Sequence, residues 1–479
     1  MNILYCTSEA VPFIKTGGLA DVAGSLPIEL KNIGEDIRVV LPLYGQISQE
    51  YREKMTYVGY YYVDIGLRHD YCGIMKLVHE GVTFYFLDNE MYFNRYNIYG
   101  ERDDGERFLF FSKAVTLLPK VIDFKPDIIH TNDWHTAMVN VYIKDFARGD
   151  DYYNSIKSIF TIHNLKYQGV FPSGILGFSG LSAEYFNEEA LKYYDCVNFM
   201  KGGIVYCDIL TTVSKTYSQE IQHGYFGEGL DGIIRKYSYK LYGIINGLDY
   251  KVWNPKSDPY LKANFGLDNL EDKVKNKLEL QRIYNLPENA DIPLFIMVTR
   301  LVDMKGLDIL LHIMDELLYF EDIQVIVLGT GSENYENSLR FFQSKYPSKL
   351  AARLYYSNDE SHLLYGGGDF LLMPSLAEPC GISQLMAMRY GTLPIVRETG
   401  GLKDTVKPYN KFTGEGTGFS FANINAHELL FTIKQAIETY YDKEALKGLV
   451  VSAMKEKNDW EQSAKEYLKL YKRLVGIYE

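Results

Sequence analysis

The chain has 479 residues, too many for one ordinary hydrophobic core, so two domains are expected. Hydrophobic residues make up 47% and charged residues 23%, which excludes a disordered protein. A formal net charge of −12, with no run of Lys or Arg, argues against nucleic acid as a partner, because phosphate-backbone affinity needs clustered cations.

Five cysteines, Cys6, Cys72, Cys196, Cys207 and Cys380, are scattered, odd in number and without metal-ligand spacing, as expected of reduced thiols. Met1 leads directly into the apolar Ile3-Leu4-Tyr5 with no basic leader, and no segment reaches the ~18 apolar residues that span a bilayer. The expectation is a soluble, cytoplasmic protein with no membrane partner. Its 41 tyrosines could stack on sugar rings, but core packing uses such rings equally well.

In chain order, the first unit reads as strand Ile3–Ser8, helix Asp21–Ile33 and strand Ile37–Leu41, with continuous apolar runs typical of a parallel sheet covered on both faces. The intervening loop holds Lys15, a mobile cation, beside Gly17 and Gly18, which let backbone approach a ligand; Asp21 stands near the helix start. Neither a dinucleotide fingerprint nor a P-loop is present. Residues 55–90 alternate as hairpin strands, and a long polar loop, FNRYNIYGERDDGERF, follows them before a helix over Phe108–Leu118. Strand Asp127–His130 runs into Thr-Asn-Asp-Trp-His-Thr-Ala, and strand Ser158–Ile162 ends in His163-Asn164. Two histidines at strand ends, His135 and His163, favour a pocket there over two satisfied structural groups.

Helix Val197–Tyr206 and strand Ile209–Val213 repeat the rhythm, and Gly243–Asp249 reads as a short strand and turn at an interdomain hinge. The second unit restarts with strand Leu294–Val298, Arg300 and Lys305 in the following loop, and an amphipathic helix over Leu307–Leu318. Strand Gln324–Leu328 ends in Gly-Thr-Gly, helix Tyr335–Tyr346 follows, and a strand is expected at Arg353–Tyr356. Gly329-Thr330-Gly331 and Gly366-Gly367-Gly368 read as tight turns more readily than as phosphate loops. A final amphipathic helix exceeds what a doubly wound sheet needs. The resulting division is 1–245, 246–458, and a helix over 459–479 packing back on the first domain. The fold class is α/β, two Rossmann-like doubly wound domains facing across a cleft.

The most informative stretch is Pro374–Leu402, PSLAEPCGISQLMAMRYGTLPIVRETGGL. Two helix starts follow two strands within it, each entered through glycine, and such starts can hold an anion. Glu378 stands beside them. Arg300 and Lys305, five residues apart across one strand-to-helix loop, can aim at the same anion, as a diphosphate leaving group requires.

Taken with Lys15-Thr16-Gly17-Gly18-Leu19, Arg300 and Lys305, this stretch closely resembles the bacterial glycogen synthases, retaining enzymes related to plant starch synthases, over nearly the whole chain. The resemblance implies the GT-B fold and transfer of glucose from ADP-glucose to the non-reducing end of an α-1,4-glucan, with no metal and no cofactor. It implies that Arg300 and Lys305 bind the diphosphate and that Glu378 positions the donor glucose. The backbones of Cys380-Gly381 and Thr399-Gly400 would hold glucose and phosphate. Lys15, Gly17 and Gly18 would close over the phosphates, with His163 by the transferred sugar. Asp133 and His135 would lie near this pocket, while Glu9, Asp21, Tyr99 and Asn246 would face the acceptor. Met386 stands where many retaining transferases carry a second glutamate, which fits the synthase subgroup. With no clear carboxylate nucleophile, front-face substitution is expected over double displacement. UDP-glucose stays open as donor. The competing classes are a glucan phosphorylase, a nucleotide-sugar epimerase and a non-catalytic glucan-binding protein.

Overall fold

A computed structural model describes residues 1–477 of the chain. The chain divides into two compact units, Met1–Asn246 joined by the segment from Trp460 onward, and Gly247–Asp459, each with its own hydrophobic core. Among the described residues no helix is long and apolar enough to cross a membrane.

The first unit is built on nine strands: β1 (Asn2–Cys6), β2 (Asp36–Pro42), β3 (Thr56–Ile65), β4 (Arg68–His79), β5 (Val82–Asp88), β6 (Ile128–Asn132), β7 (Lys157–Ile162), and, beyond a small sheet of β8 (Val170–Pro172), β9 (Lys192–Tyr193) and β10 (Cys196–Asn198), β11 (Ile209–Thr212) and β12 (Leu241–Gly243). Their order is β12-β11-β7-β6-β1-β2-β5-β4-β3. The first seven in that order are parallel, and β4 and β3 extend the sheet as an antiparallel ribbon. Ile3, Leu4, Tyr5 and Cys6 of β1 are fully buried, as a central strand covered on both faces demands. The chain leaves β1 toward β2 on one side and later returns to place β6 on the other. The order therefore reverses between β1 and β6, and loops after their carboxyl ends diverge to open a crevice.

Helix Trp460–Leu474 belongs to this unit and lies along helix Gly18–Asn32. It buries Trp460, Ala464, Tyr467 and Tyr471 on one face, and the Tyr471 hydroxyl meets Nδ1 of fully buried His130 at 2.7 Å. His130 Nε2 reaches Thr161 Oγ1 at 2.6 Å, which in turn meets Thr211 Oγ1 at 2.6 Å. A polar thread thus crosses β6, β7 and β11 inside an otherwise apolar core.

The second unit is a six-stranded parallel sheet of β13 (Leu294–Val298), β14 (Gln324–Leu328), β15 (Leu350–Arg353), β16 (Phe370–Met373), β17 (Leu393–Arg397) and β18 (Phe419–Phe421), in the order β15-β14-β13-β16-β17-β18. Its order reverses between β13 and β16. Helix Leu307–Phe320 covers the sheet with Leu307, Leu310, Ile313, Met314, Leu317 and Leu318, all buried and spaced by three or four residues. Each such side chain contributes roughly 1.5–3 kcal/mol of apolar burial.

Two sequence expectations are corrected here. The strand expected at Arg353–Tyr356 lies at Leu350–Arg353, because Leu350 and Ala351 take the buried positions and Tyr355 and Tyr356 remain exposed. Gly366 and Gly367 close helix Asn358–Gly367, and a Cβ at Gly366 would lie 2.3 Å from Leu261, so they serve close packing. Apolar periodicity did not signal that helix, nor helix Lys273–Ile283, whose buried Lys277 pairs with Asp369 at 2.7 Å.

Tyr471→Phe removes the partner of a buried imidazole nitrogen and should cost the protein ~1–3 kcal/mol of unfolding free energy. Urea titration followed by tryptophan fluorescence measures it, with Tyr239→Phe on the exposed surface as the neutral control.

Candidate active site

In the first unit, the loop after β1 is organised by Glu9. This residue is 3% exposed, and its Oε2 accepts from the Thr16 N–H at 2.5 Å and the Thr16 hydroxyl at 2.8 Å. Burial pushes the Glu9 carboxyl up to about 6, against the lowering effect of hydrogen bonds from Thr16 and Gly17. Gly17 then caps helix Gly18–Asn32, so Gly18 is its first residue and Asp21 lies in its first turn. Lys15, at the surface, pairs with Asp21 at 2.7 Å.

The end of β6 supplies the opposite wall. Asp133 adopts φ +53, a left-handed conformation that costs a non-glycine residue about 1–2 kcal/mol. The turn brings its Oδ1 within 2.8 Å of the His163 N–H at the end of β7. Burial raises the Asp133 carboxyl to about 7, while the N–H groups of His163 and Asn164 oppose that rise and the charge of Glu9 adds to it. Burial also lowers His163 to about 3, so its imidazole is neutral. His163 Nε2 lies 2.9 Å from Asn132 Oδ1.

Tyr99 comes from the long polar loop, which is fastened by the buried pair Arg107–Asp104 at 2.5 Å and by the Gly100 N–H donating to Asp104 at 2.7 Å. Its hydroxyl meets Ser8 Oγ at 2.7 Å, and its ring stacks on His135 with centroids 4.3 Å apart. Trp134 and Phe108 complete the aromatic surround of His135, whose Nδ1 is buried without a partner. Burial holds the His135 imidazole well below its ordinary range, helped by the Arg107 charge. Glu9, Lys15, Gly17, Gly18, Asp21, Tyr99, Asp133, His135 and His163 therefore gather around the carboxyl ends of β1, β6 and β7. Asn246 stands apart: it follows β12 at the far edge of the sheet, buried, with its Oδ1 unpartnered.

In the second unit, the loops after β13 and β16 meet. The Leu376 N–H donates to the Met304 carbonyl at 2.8 Å. Gly306, at φ +72, sits so close that a Cβ would lie 1.9 Å from the Pro374 carbonyl oxygen. This contact carries Lys305 to Glu378, with Nζ and Oε2 2.5 Å apart and side chains 20% and 11% exposed. Ser375 Oγ donates to the same Oε2 at 3.1 Å. Arg300, on the same loop as Lys305, is exposed.

Cys380 and Gly381 follow Glu378, with Gly381 at φ +72. Thr399 is buried and caps the short helix Gly400–Thr405. At Gly400, φ is +43 and a Cβ would lie 1.9 Å from the Glu378 carbonyl oxygen, and the Gly401 N–H donates to that same oxygen at 3.2 Å. Arg397, at the end of β17, ties the arrangement together, with Nε donating to the Ser375 carbonyl at 2.9 Å and NH2 to the Leu376 carbonyl at 2.5 Å. Arg300, Lys305, Glu378, Cys380, Gly381, Thr399 and Gly400 are thus brought together at the carboxyl ends of β13, β16 and β17. Sequence reasoning missed Ser375, Arg397 and Asn132. Asn132 and Arg397 were legible only as a polar residue closing an apolar strand, and Ser375 only as one two residues beyond such a strand. Among the described residues no group of three or more His, Cys, Asp or Glu side chains is placed to hold a metal ion.

Comparison with known proteins extends this geometry. A family model described as the starch synthase catalytic domain matches residues 2–236, and one described as glycosyl transferases group 1 matches residues 281–464. A glycogen synthase of Finegoldia magna is 59% identical over 475 residues, covering 99% of this chain and 100% of that one. A glycogen synthase of Clostridium novyi is 50% identical over 477 residues, covering 99% of both. The solved catalytic domain of starch synthase IV from Arabidopsis thaliana, bound to ADP and acarbose, superposes with a TM-score of 0.91 at 32% identity, covering 99% of each chain. Sucrose-phosphate synthase from Thermosynechococcus elongatus, at 16% identity and TM-score 0.62 with both chains fully covered, shares the fold. The fold is GT-B, two α/β units with parallel sheets.

Two raised carboxyl groups give stability a pH signature. Glu9 and Asp133 hold protons in the folded state that the unfolded chain releases near pH 4, so the folded state binds more protons from there up to about pH 6 and 7 respectively. Their contribution is greatest at low pH and is lost as pH rises through the folded values. Asp133→Asn should therefore flatten the decline in unfolding free energy between roughly pH 4 and 7, measured by urea titrations across that range. An unchanged slope would contradict the burial of this charge.

Proposed function

We propose, because the chain belongs to the glycogen synthase family of glucosyltransferases, that it elongates an α-1,4-glucan by moving glucose from ADP-glucose to the non-reducing end with retention of configuration. The observation that carries this reading is the Lys305–Glu378 pair at the reversal point of the second sheet, with Arg300 on the same loop. Breaking the bond between sugar and phosphate builds negative charge on the departing diphosphate. Cations already fixed at that place lower the barrier without reorganising during the reaction.

In this mechanism Arg300 and Lys305 bind the diphosphate. Glu378 is held by Lys305 and Ser375, so its carboxylate is oriented toward the glucose hydroxyls instead of being free to rotate. The backbones of Cys380-Gly381 and Thr399-Gly400 border the glucose and phosphate, and Lys15, Gly17 and Gly18 bind the donor phosphates. His163 lies by the transferred sugar. Glu9, Asp21, Tyr99, Asp133 and His135 serve the acceptor side, Glu9 also shaping the loop that carries Lys15, and Asn246 serves it from the end of the edge strand β12. The departing phosphate takes the proton of the attacking hydroxyl on the same face of the sugar, which gives retention without a covalent glucosyl-enzyme. Fixed cations take the place of a metal. ADP as the nucleotide is supported by the starch synthase IV structure, which holds ADP and acarbose.

The test is transfer of labelled glucose from ADP-glucose, with UDP-glucose in parallel, to a maltooligosaccharide in the presence of a chelator. Elongation from ADP-glucose is expected, and Lys305→Ala and Glu378→Ala should each reduce it by about 10²-fold or more. Preference for UDP-glucose would replace the donor, loss of activity on chelation would overturn the metal-free mechanism, and glucan binding with no transfer from either donor would overturn the enzyme.

A further inference from the structure

Asn132 is both the last residue of β6 and the N-cap of helix Asp133–Phe146, yet its side chain makes no capping hydrogen bond. Asparagine is among the strongest N-cap residues, and here that role is given up. Instead Thr136 Oγ1 accepts from the Asn132 N–H at 2.6 Å and donates to its carbonyl at 2.8 Å. The amide turns sideways into a fully buried position. Nδ2 donates to the Cys6 carbonyl at 2.9 Å, and a carbonyl can only accept, so this contact fixes which end of the amide is which. Oδ1 consequently faces the Tyr5 hydroxyl at 3.0 Å and His163 Nε2 at 2.9 Å. An amide oxygen can only accept as well. Nε2 of His163 therefore carries the proton, and Nδ1 presents a lone pair.

We infer that Asn132 is a positioning residue that locks His163 in the Nε2–H tautomer, so that Nδ1 accepts a hydrogen bond from a hydroxyl of the transferred glucose and does not donate one. The inference rests on the reading of His163 as a sugar-contacting group. Nδ1 suits that role: it has no hydrogen-bond partner among the described residues and is not among the enclosed unpaired atoms. Tyr5, held by β1, and Cys6, held by the ladder to β2 and β6, make the lock rigid. The ionisable groups around His163 are Asp133 at its N–H, His130 behind it in the sheet, Tyr5 through Asn132, Glu9 through its charge on Asp133, and Tyr217, whose hydroxyl accepts from the Leu165 N–H at 3.2 Å. None offers a second acceptor to Nε2.

The experiment combines long-range ¹H–¹⁵N NMR of the histidine-labelled full chain with kcat/KM profiles of transfer. Wild type should show His163 as the neutral Nε2–H tautomer across roughly pH 5 to 8. Asn132→Asp places a carboxylate at Nε2, so His163 should now titrate in that range and kcat/KM should fall as pH is lowered and recover as it is raised. Asn132→Leu removes the acceptor, should mix the tautomers, and should lower kcat/KM roughly tenfold, the equivalent of about one hydrogen bond. A purely structural Asn132 would shift thermal stability while leaving tautomer and pH profile unchanged. An Nδ1–H tautomer in wild type, or wild-type profiles in both variants, overturns the inference. His163→Ala separates the two readings: if it impairs transfer while the Asn132 variants do not, only this inference fails; if it leaves transfer intact, the role of His163 fails with it.

Discussion

The interaction on which the second unit's site depends is the contact between Lys305 and Glu378. The two side chains are mostly shielded from water, so removing either leaves the other as an unpaired charge in a place of low dielectric, which is far costlier than losing an exposed pair. Holding both at 2.5 Å requires two loops to approach closer than any side chain would allow. Gly306 against Pro374 and Gly400 against Glu378 supply that approach, and Arg397 satisfies the carbonyls of the loop that Glu378 ends. The glycines here therefore determine where a carboxylate points. Their role is local geometry in the service of a charge.

The architecture makes such contacts possible twice. In each unit a parallel sheet reverses its order at one place, between β1 and β6 or between β13 and β16, and in each the chemistry-bearing loops leave the strands bordering that place and the next one, β7 or β17. The sequence marked the leading strands of these sheets through the continuous apolar runs of Ile3–Cys6 and Leu294–Val298, because a strand buried on both faces must be apolar throughout, but it carried no record of the strand order. It also singled out Lys15, Arg300, Lys305 and Glu378 as charges in glycine-containing loops, and the structure puts them in the loops after β1, β13 and β16. What it concealed has a common cause. Helix Lys273–Ile283 buries lysine and asparagine through hydrogen bonds, so its apolar period is absent. Asn132 occupies a helix N-cap position, and only the structure shows its side chain turned away. Arg397 sits at the end of an apolar strand, with nothing in its neighbours to show that it satisfies carbonyls twenty residues earlier in the chain. Each is a long-range polar contact, and periodicity carries no record of those.

The polar groups at the strand ends of the two units also differ in the state in which they are kept. In the first, burial drives Glu9 and Asp133 upward and His130, His135 and His163 downward, so every one of these shifts favours the neutral form. In the second, a lysine and a glutamate are kept as an ion pair with an arginine nearby at the surface. Neutral donors and acceptors recognise hydroxyl groups by direction, and they do not attract ions in competition with an uncharged sugar. Fixed charges do the opposite, and a diphosphate needs them. The division follows from burial alone: loops after β1, β6 and β7 close over one another with aromatic rings between them, whereas the loop after β13 leaves Arg300 in water. A carboxylate as deeply enclosed as Asp133 cannot serve as a permanent charge, and its positive φ shows that backbone strain is accepted to place it on the His163 N–H. That strain is intelligible if the exact placement of the His163 ring matters more to this protein than the stability it gives up.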